Sequence, residues 1–68
     1  MNKVYVISGY NDAAGLLVPE VFINYTIAEK RFNALLEELG CSEITPTTEH
    51  VLKFGIEGET MIQLSESI

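Results

Sequence analysis

A single helix-forming stretch lies in the middle of this chain with two strand-like segments on each side, and few folds accept that order. Ala28, Phe32, Leu35, Leu36 and Leu39 recur at helical spacing and form one apolar stripe, while Glu29, Lys30, Asn33, Glu37 and Glu38 face water. The spacing predicts a helix over 27–39. Thr26-Ile27-Ala28-Glu29 has the capping-box pattern, in which the Thr26 hydroxyl and the Glu29 carboxylate each accept from the other's backbone amide. Gly40 ends the helix, because glycine adopts the left-handed backbone that a helix terminus favours.

The flanking segments read as strands. Lys3 to Gly9 (KVYVISG) has Val4 and Val6 on one alternation and Tyr5 and Ile7 on the other. Gly9 to Gly15 is turn chemistry, and Leu16 to Ile23 (LLVPEVFI) is a second strand. Pro19 has no amide hydrogen to give a ladder, which marks an edge position or a bulge and places this strand at an edge, or at least with the Pro19 nitrogen facing away from its neighbour. Cys41 to Glu49 is a loop broken by Pro46, with Ile44 tucked over the end of the core. His50 to Glu57 and Thr60 to Glu66 form a second hairpin around Gly58. Leu52, Phe54 and Ile56, with Ile62 and Leu64, are assigned to the helix side, and Val51, Lys53 and Gly55 to the other. The expected fold is α+β in ββαββ order: one domain, residues 1–68, with a four-stranded, mainly antiparallel sheet and the helix packed on one face.

One helix covers one face of such a sheet, yet the first hairpin is apolar at both alternations. The second face therefore needs a cover, which points to a homodimer or a partner contact through that hairpin. Sheet curling or the 41–49 loop is the competing explanation. With 68 residues the chain buries a smaller fraction of its surface than a larger domain does. Its one cysteine, Cys41, rules out an internal disulfide, and one cysteine with one histidine cannot build a four-ligand zinc site. Dense packing and oligomerisation remain as sources of stability.

Ten acids against four bases give a net charge of −6. That balance repels phosphate, so it argues against direct nucleic-acid binding and fits either a basic protein partner or simple solubility. No stretch approaches the roughly 20 apolar residues of a membrane helix. The first residues lack a signal-peptide pattern, and a lone thiol suits a reducing compartment, so a cytoplasmic location is expected.

Few residues promise chemistry. Cys41 and His50 bound the same loop and are the only thiol–imidazole pair on offer, although a half-buried cysteine and a strand-initiating histidine explain them as well. Gly9 to Gly15 is no phosphate loop, since it joins two strands and carries Asp12. The Asn24-Tyr25-Thr26 sequon is better explained by Thr26 as a helix cap. Tyr10 offers a large contact surface beside that loop. Glu37, Glu38, Glu43 and Glu49 gather in sequence around the helix C-terminus, where carboxylates oppose the helix dipole and stability alone would place bases. Tyr10, Asp12, Glu37, Glu38, Glu43 and Glu49 are thus the candidate partner-binding residues, with no catalytic residue, metal or cofactor expected.

The segments KVYVISGYND, LLVPEVFIN and TIAEKRFNALLEELG resemble a pattern in small uncharacterised bacterial and phage proteins, carried by Tyr5, Phe22, Thr26, Ala28 and Glu29 over roughly the first forty residues. The chain departs from that pattern at Val21, where a glycine often precedes the phenylalanine. In size and charge it also resembles phage proteins that inhibit host machinery, anti-CRISPR proteins among them. The resemblance implies a non-enzymatic inhibitor that occupies a basic site on a host complex. The alternative is a small-ligand sequestering protein whose pocket lies at a dimer interface, lined by Tyr5, Tyr10 and Phe22.

Overall fold

The computed structural model describes residues 3–67. Its elements in chain order are β1 (Val4–Asn11), β2 (Gly15–Leu16), β3 (Glu20–Phe22), α1 (Tyr25–Leu39), β4 (Ser42–Ile44), β5 (Val51–Glu57) and β6 (Thr60–Ser67). The α+β class and the single helix agree with the sequence. The sheet has six strands rather than four, in the order β2-β1-β6-β5-β4 with β3 also pairing β1, and every pairing is antiparallel. Two local events raise the count. Pro19 interrupts the expected second strand, leaving β2 and β3 as two short pieces on the outer side of β1. That is the edge position its missing amide hydrogen requires. Residues 42–44, expected to be loop, pair with β5 as a fifth rank.

The helix starts two residues earlier than the capping box implies. Asn24 is the N-cap: its backbone is extended (φ −119°, ψ 122°) and its Oδ1 accepts from the Ile27 amide at 3.1 Å. Thr26 is therefore inside the first turn. Tyr25, the first helical residue, meets Tyr5 edge to face with ring centres 5.6 Å apart and donates its hydroxyl to Glu29 at 3.3 Å. The far terminus follows the expectation. Gly40 has φ 69°, its amide donates to the Glu37 carbonyl, and the Cys41 amide donates to the Leu36 carbonyl at 2.9 Å, which is a Schellman ending.

Ile7, Ala28, Phe32, Leu35, Ile62 and Leu64 are buried between helix and sheet, with Tyr5, Leu17, Phe22, Tyr25, Leu36 and Leu39 packed around them. The helix stripe and the β6 pair Ile62 and Leu64 thus sit as the sequence implies. The β5 assignment is reversed. Gly55 pairs with Ile62 and Lys53 with Leu64, so Lys53 and Gly55 lie under the helix, while Phe54 and Ile56 point to the opposite face. Sterics accompany the reversal: a Cβ at Gly55 would meet Leu36 Cδ2, so a larger residue there requires the Leu36 side chain to shift. A register shift between Val51 and Lys53 then breaks the alternation at Leu52. Gly9 in β1 answers a different constraint, since a Cβ there would strike the Met61 carbonyl in the backbone of the neighbouring strand. Ile44 does not cap the core. It pairs with Phe54 on the opposite face and is 44% exposed. The break at Pro19 also divides the first hairpin differently from a simple alternation, because Leu17 and Phe22 both turn toward the core.

Two substitutions test these assignments by urea denaturation. Asn24→Ala should cost about 1 kcal/mol, whereas Thr26→Ala should change stability by no more than about 0.5 kcal/mol. Gly55→Val should lower stability by about 1–3 kcal/mol through overpacking, although β-propensity alone predicts a gain.

Candidate functional site: the uncovered sheet face and the acidic end

Antiparallel partners share a face, so the pairing register sorts every strand residue. The helix side holds Tyr5 and Ile7 of β1 and Ile62 and Leu64 of β6. The opposite side holds Val4, Val6, Ser8 and Tyr10 of β1, and Met61, Gln63, Ser65 and Ser67 of β6. β5 adds Val51, Phe54 and Ile56, and the edges add Leu16, Val21 and Ile44. The described residues provide no second helix to cover these side chains. Leu16 is 85% and Val21 63% exposed.

Charge follows the same sorting. The described strands contain five charged residues: Glu20, Glu43, Lys53, Glu57 and Glu66. Each pairs with, or lies in rank with, a residue on the helix side, namely Ile7, Gly55, Leu64, Thr60 and Tyr5 respectively. The opposite face therefore carries no charged side chain among the described strands. A half-solvated antiparallel sheet normally carries charged residues on its outward face, and here that face has only uncharged polar and apolar ones.

Two hollows interrupt this uncharged face. One, of about 620 Å³, lies among Tyr10, Leu16, Val18, Pro19, Met61 and Gln63. The other, of about 210 Å³, lies between the Thr45–Thr48 segment and Val51, Phe54 and Gln63. The raised edges are the chain around Pro19 and the loop around Pro46. That loop covers one end of the face and leaves the rest open. Gln63 borders both hollows from the central strand, between Ser8 and Phe54 in the ladder.

The six candidate residues do not form one cluster. Tyr10 belongs to the uncharged face, opposite Leu16 and Met61. Asp12 sits in the turn beyond it, where its amide donates to Thr60 Oγ1 at 3.1 Å and fastens the turn to β6. Glu37 and Glu38 end the helix at the same end of the sheet, because the chain leaves Gly40 to enter β4 opposite Ile56. Glu43 lies exposed on the helix side of the edge strand instead, 3.3 Å from Lys53 Nζ, which Glu29 also approaches at 3.3 Å. Burial alone would lower the Lys53 pKa, but the two carboxylates outweigh it and hold the ammonium above its ordinary value. Glu49 precedes β5 at the other end of the sheet, a strand length from the helix C-terminus. Sequence proximity grouped these four glutamates, and the ladder separates them.

Two acids missed by the sequence reading join the Asp12 end: Glu57 and Glu59, on either side of Gly58 in the β5–β6 turn. Placing them there requires knowing that β6 lies beside β1, so no local signal would have found them. Asp12, Glu37, Glu38, Glu57 and Glu59 thus lie toward one end, and none forms an ion pair within 4 Å among the described residues, although Glu38 borders a hollow with Arg31 and adds to the field that raises the Arg31 pKa. Three of the four bases are engaged: Lys3 with Glu66 at 3.2 Å, Arg31 with Glu20 at 3.0 Å, and Lys53 as above.

The thiol–imidazole pair does not assemble. Cys41 lies beside the start of β4 at the acidic end, whereas His50 precedes β5 near Lys3 and Glu66. The seven residues of β5 run between these two ends, roughly 20 Å of strand. Burial first, and the Glu57 carboxylate second, push the Cys41 thiol above its usual pKa, which suppresses the nucleophilic thiolate. Of the ligand-pocket aromatics, only Tyr10 reaches the open face. Tyr5 and Phe22 pack on the core beneath the helix. No group of three or more His, Cys, Asp or Glu side chains converges as a metal site among the described residues, and no described helix is long and apolar enough to cross a membrane.

The chain matches no protein-family model, and neither the curated proteins nor the solved structures include a match.

The raised Cys41 pKa predicts slow alkylation. At pH 8 iodoacetamide should label native Cys41 more slowly than an unstructured cysteine peptide, and urea should abolish the difference. Equal rates in the folded protein would contradict the assigned environment.

Proposed function

We propose that this protein is a non-enzymatic binding module that docks its acidic end on a basic site of a protein partner. The observation that carries this reading is the segregation of charge. Asp12, Glu37, Glu38, Glu57 and Glu59 come from three separate turns or termini and meet at one end, while most of the bases are occupied elsewhere. The last turn of the helix carries no base, so Glu37 and Glu38 oppose the helix dipole at a cost to stability that a docking role would explain. Complementary charge of this kind chiefly accelerates and orients encounter. The sharpest form of the reading is an inhibitor of the phage type, active in the host cytoplasm. It would occupy the basic groove of a nucleic-acid-processing complex without itself binding nucleic acid.

Affinity purification from the native host cell across a salt series, read by mass spectrometry, tests the proposal. A basic partner should be retained at low salt and released as salt rises. The double variant Glu37→Lys/Glu38→Lys should bind several-fold more slowly while gaining roughly 0.3–1 kcal/mol of stability per site. Retention unaffected by both salt and the double variant would refute it.

A second reading rests on the hollow beside Tyr10. Its volume of about 620 Å³ falls within the span of small-molecule sites. A sequestering protein should release a metabolite on denaturation, detectable in the same mass spectrometry.

A further inference from the structure

We propose that the uncharged sheet face is the interface of a symmetric homodimer, with Gln63 beside the two-fold axis. This goes beyond the acidic-end reading, because it uses a different surface.

The occupant is argued from the face itself. A chain with a net charge of −6 repels its own copies, yet all five charged residues of the described strands point away from this face. A second copy can approach here without bringing like charges together. A basic partner would find no carboxylate to pair with on the face, so charge complementarity does not favour one.

Area is consistent with this. Five ranks at about 4.8 Å spacing and central strands of about 26 Å give roughly 500 Å² of flat sheet. Side-chain relief raises the accessible area toward the roughly 800 Å² per partner of a standard interface. Stacked sheets pack about 10 Å apart with interdigitating side chains, and the half-buried Val6, Phe54 and Met61 are suited to fill that layer. The molecule is only 18 Å along its shortest axis, the depth of two layers, and a second copy would complete a four-layer core.

Gln63 supplies the self-complementary element. It occupies the middle of the central strand and borders both hollows. A carboxamide carries a donor and an acceptor, so two copies related by a two-fold axis can satisfy each other. Ser65, one step along the same face, already donates to the Val6 carbonyl at 3.4 Å.

Sedimentation velocity of the full chain tests the proposal. The expected result is a species of twice the chain mass, dissociating on dilution. Gln63→Glu should weaken the dimer by about a hundredfold at pH 7 by opposing two carboxylates, and pH 4 should restore much of it. Phe54→Lys should give a monomer with an unchanged circular dichroism spectrum. Ile27→Lys, on the exposed side of the helix, should leave the mass doubled, as should Glu37→Lys/Glu38→Lys, so that failure of the acidic-end reading leaves this one standing. A wild-type monomer at millimolar concentration, or a dimer indifferent to both Gln63→Glu and Phe54→Lys, would overturn it. The former result would assign the face to another partner or to a ligand.

Discussion

The register of β5 on β6, which sets Gly55 beside Leu36, orients the rest of the molecule. Because β5 presents a residue without a side chain at that point, the helix can settle directly on the sheet, and Leu36 fills the space that a Cβ would need. Once Gly55 is under the helix, alternation sends Phe54 and Ile56 to the other side. The same register carries Lys53 beneath the helix, where Glu29 and Glu43 hold its ammonium. One register thus sets which face turns to the helix and which is left with bulky apolar groups.

The outcome is a sheet that keeps its core under the helix but places its strand charges on that same side. The helix side is core at its centre and charged around its margin, while the open side is uncharged throughout the described strands. The ion pairs of the margin are mostly exposed and add little stability individually. Their effect is spatial: they draw the bases to the helix side and leave an acidic end and an uncharged face as separate surfaces.

Much of this was legible in the residues. The helix stripe, the Gly40 terminus, the edge placement of Pro19 and the inward Ile62 and Leu64 all follow from short-range rules of spacing and backbone chemistry. The cap differs because Asn24 and Thr26 are both good caps two residues apart, and Tyr25 has a better use as a first-turn residue packed edge to face on Tyr5. Glu29 then serves Tyr25 and Lys53 rather than the backbone. The acidic candidates were misgrouped for a similar reason. Neighbours in sequence can be separated by the length of a strand, as Glu49 is from Glu38, while Asp12 and Glu59 come together only because β1 lies beside β6.

The amino-acid sequence by itself determined the element types, the surplus of apolar strand residues and the excess of negative charge, because each depends on composition or on spacing within a few residues. Tertiary structure alone decided which alternation of β5 faces the helix and which acids share an end. Those outcomes depend on pairing between distant segments, and there the register of β5 on β6, with its one-residue shift, outweighs the apparent pattern of oily and polar positions.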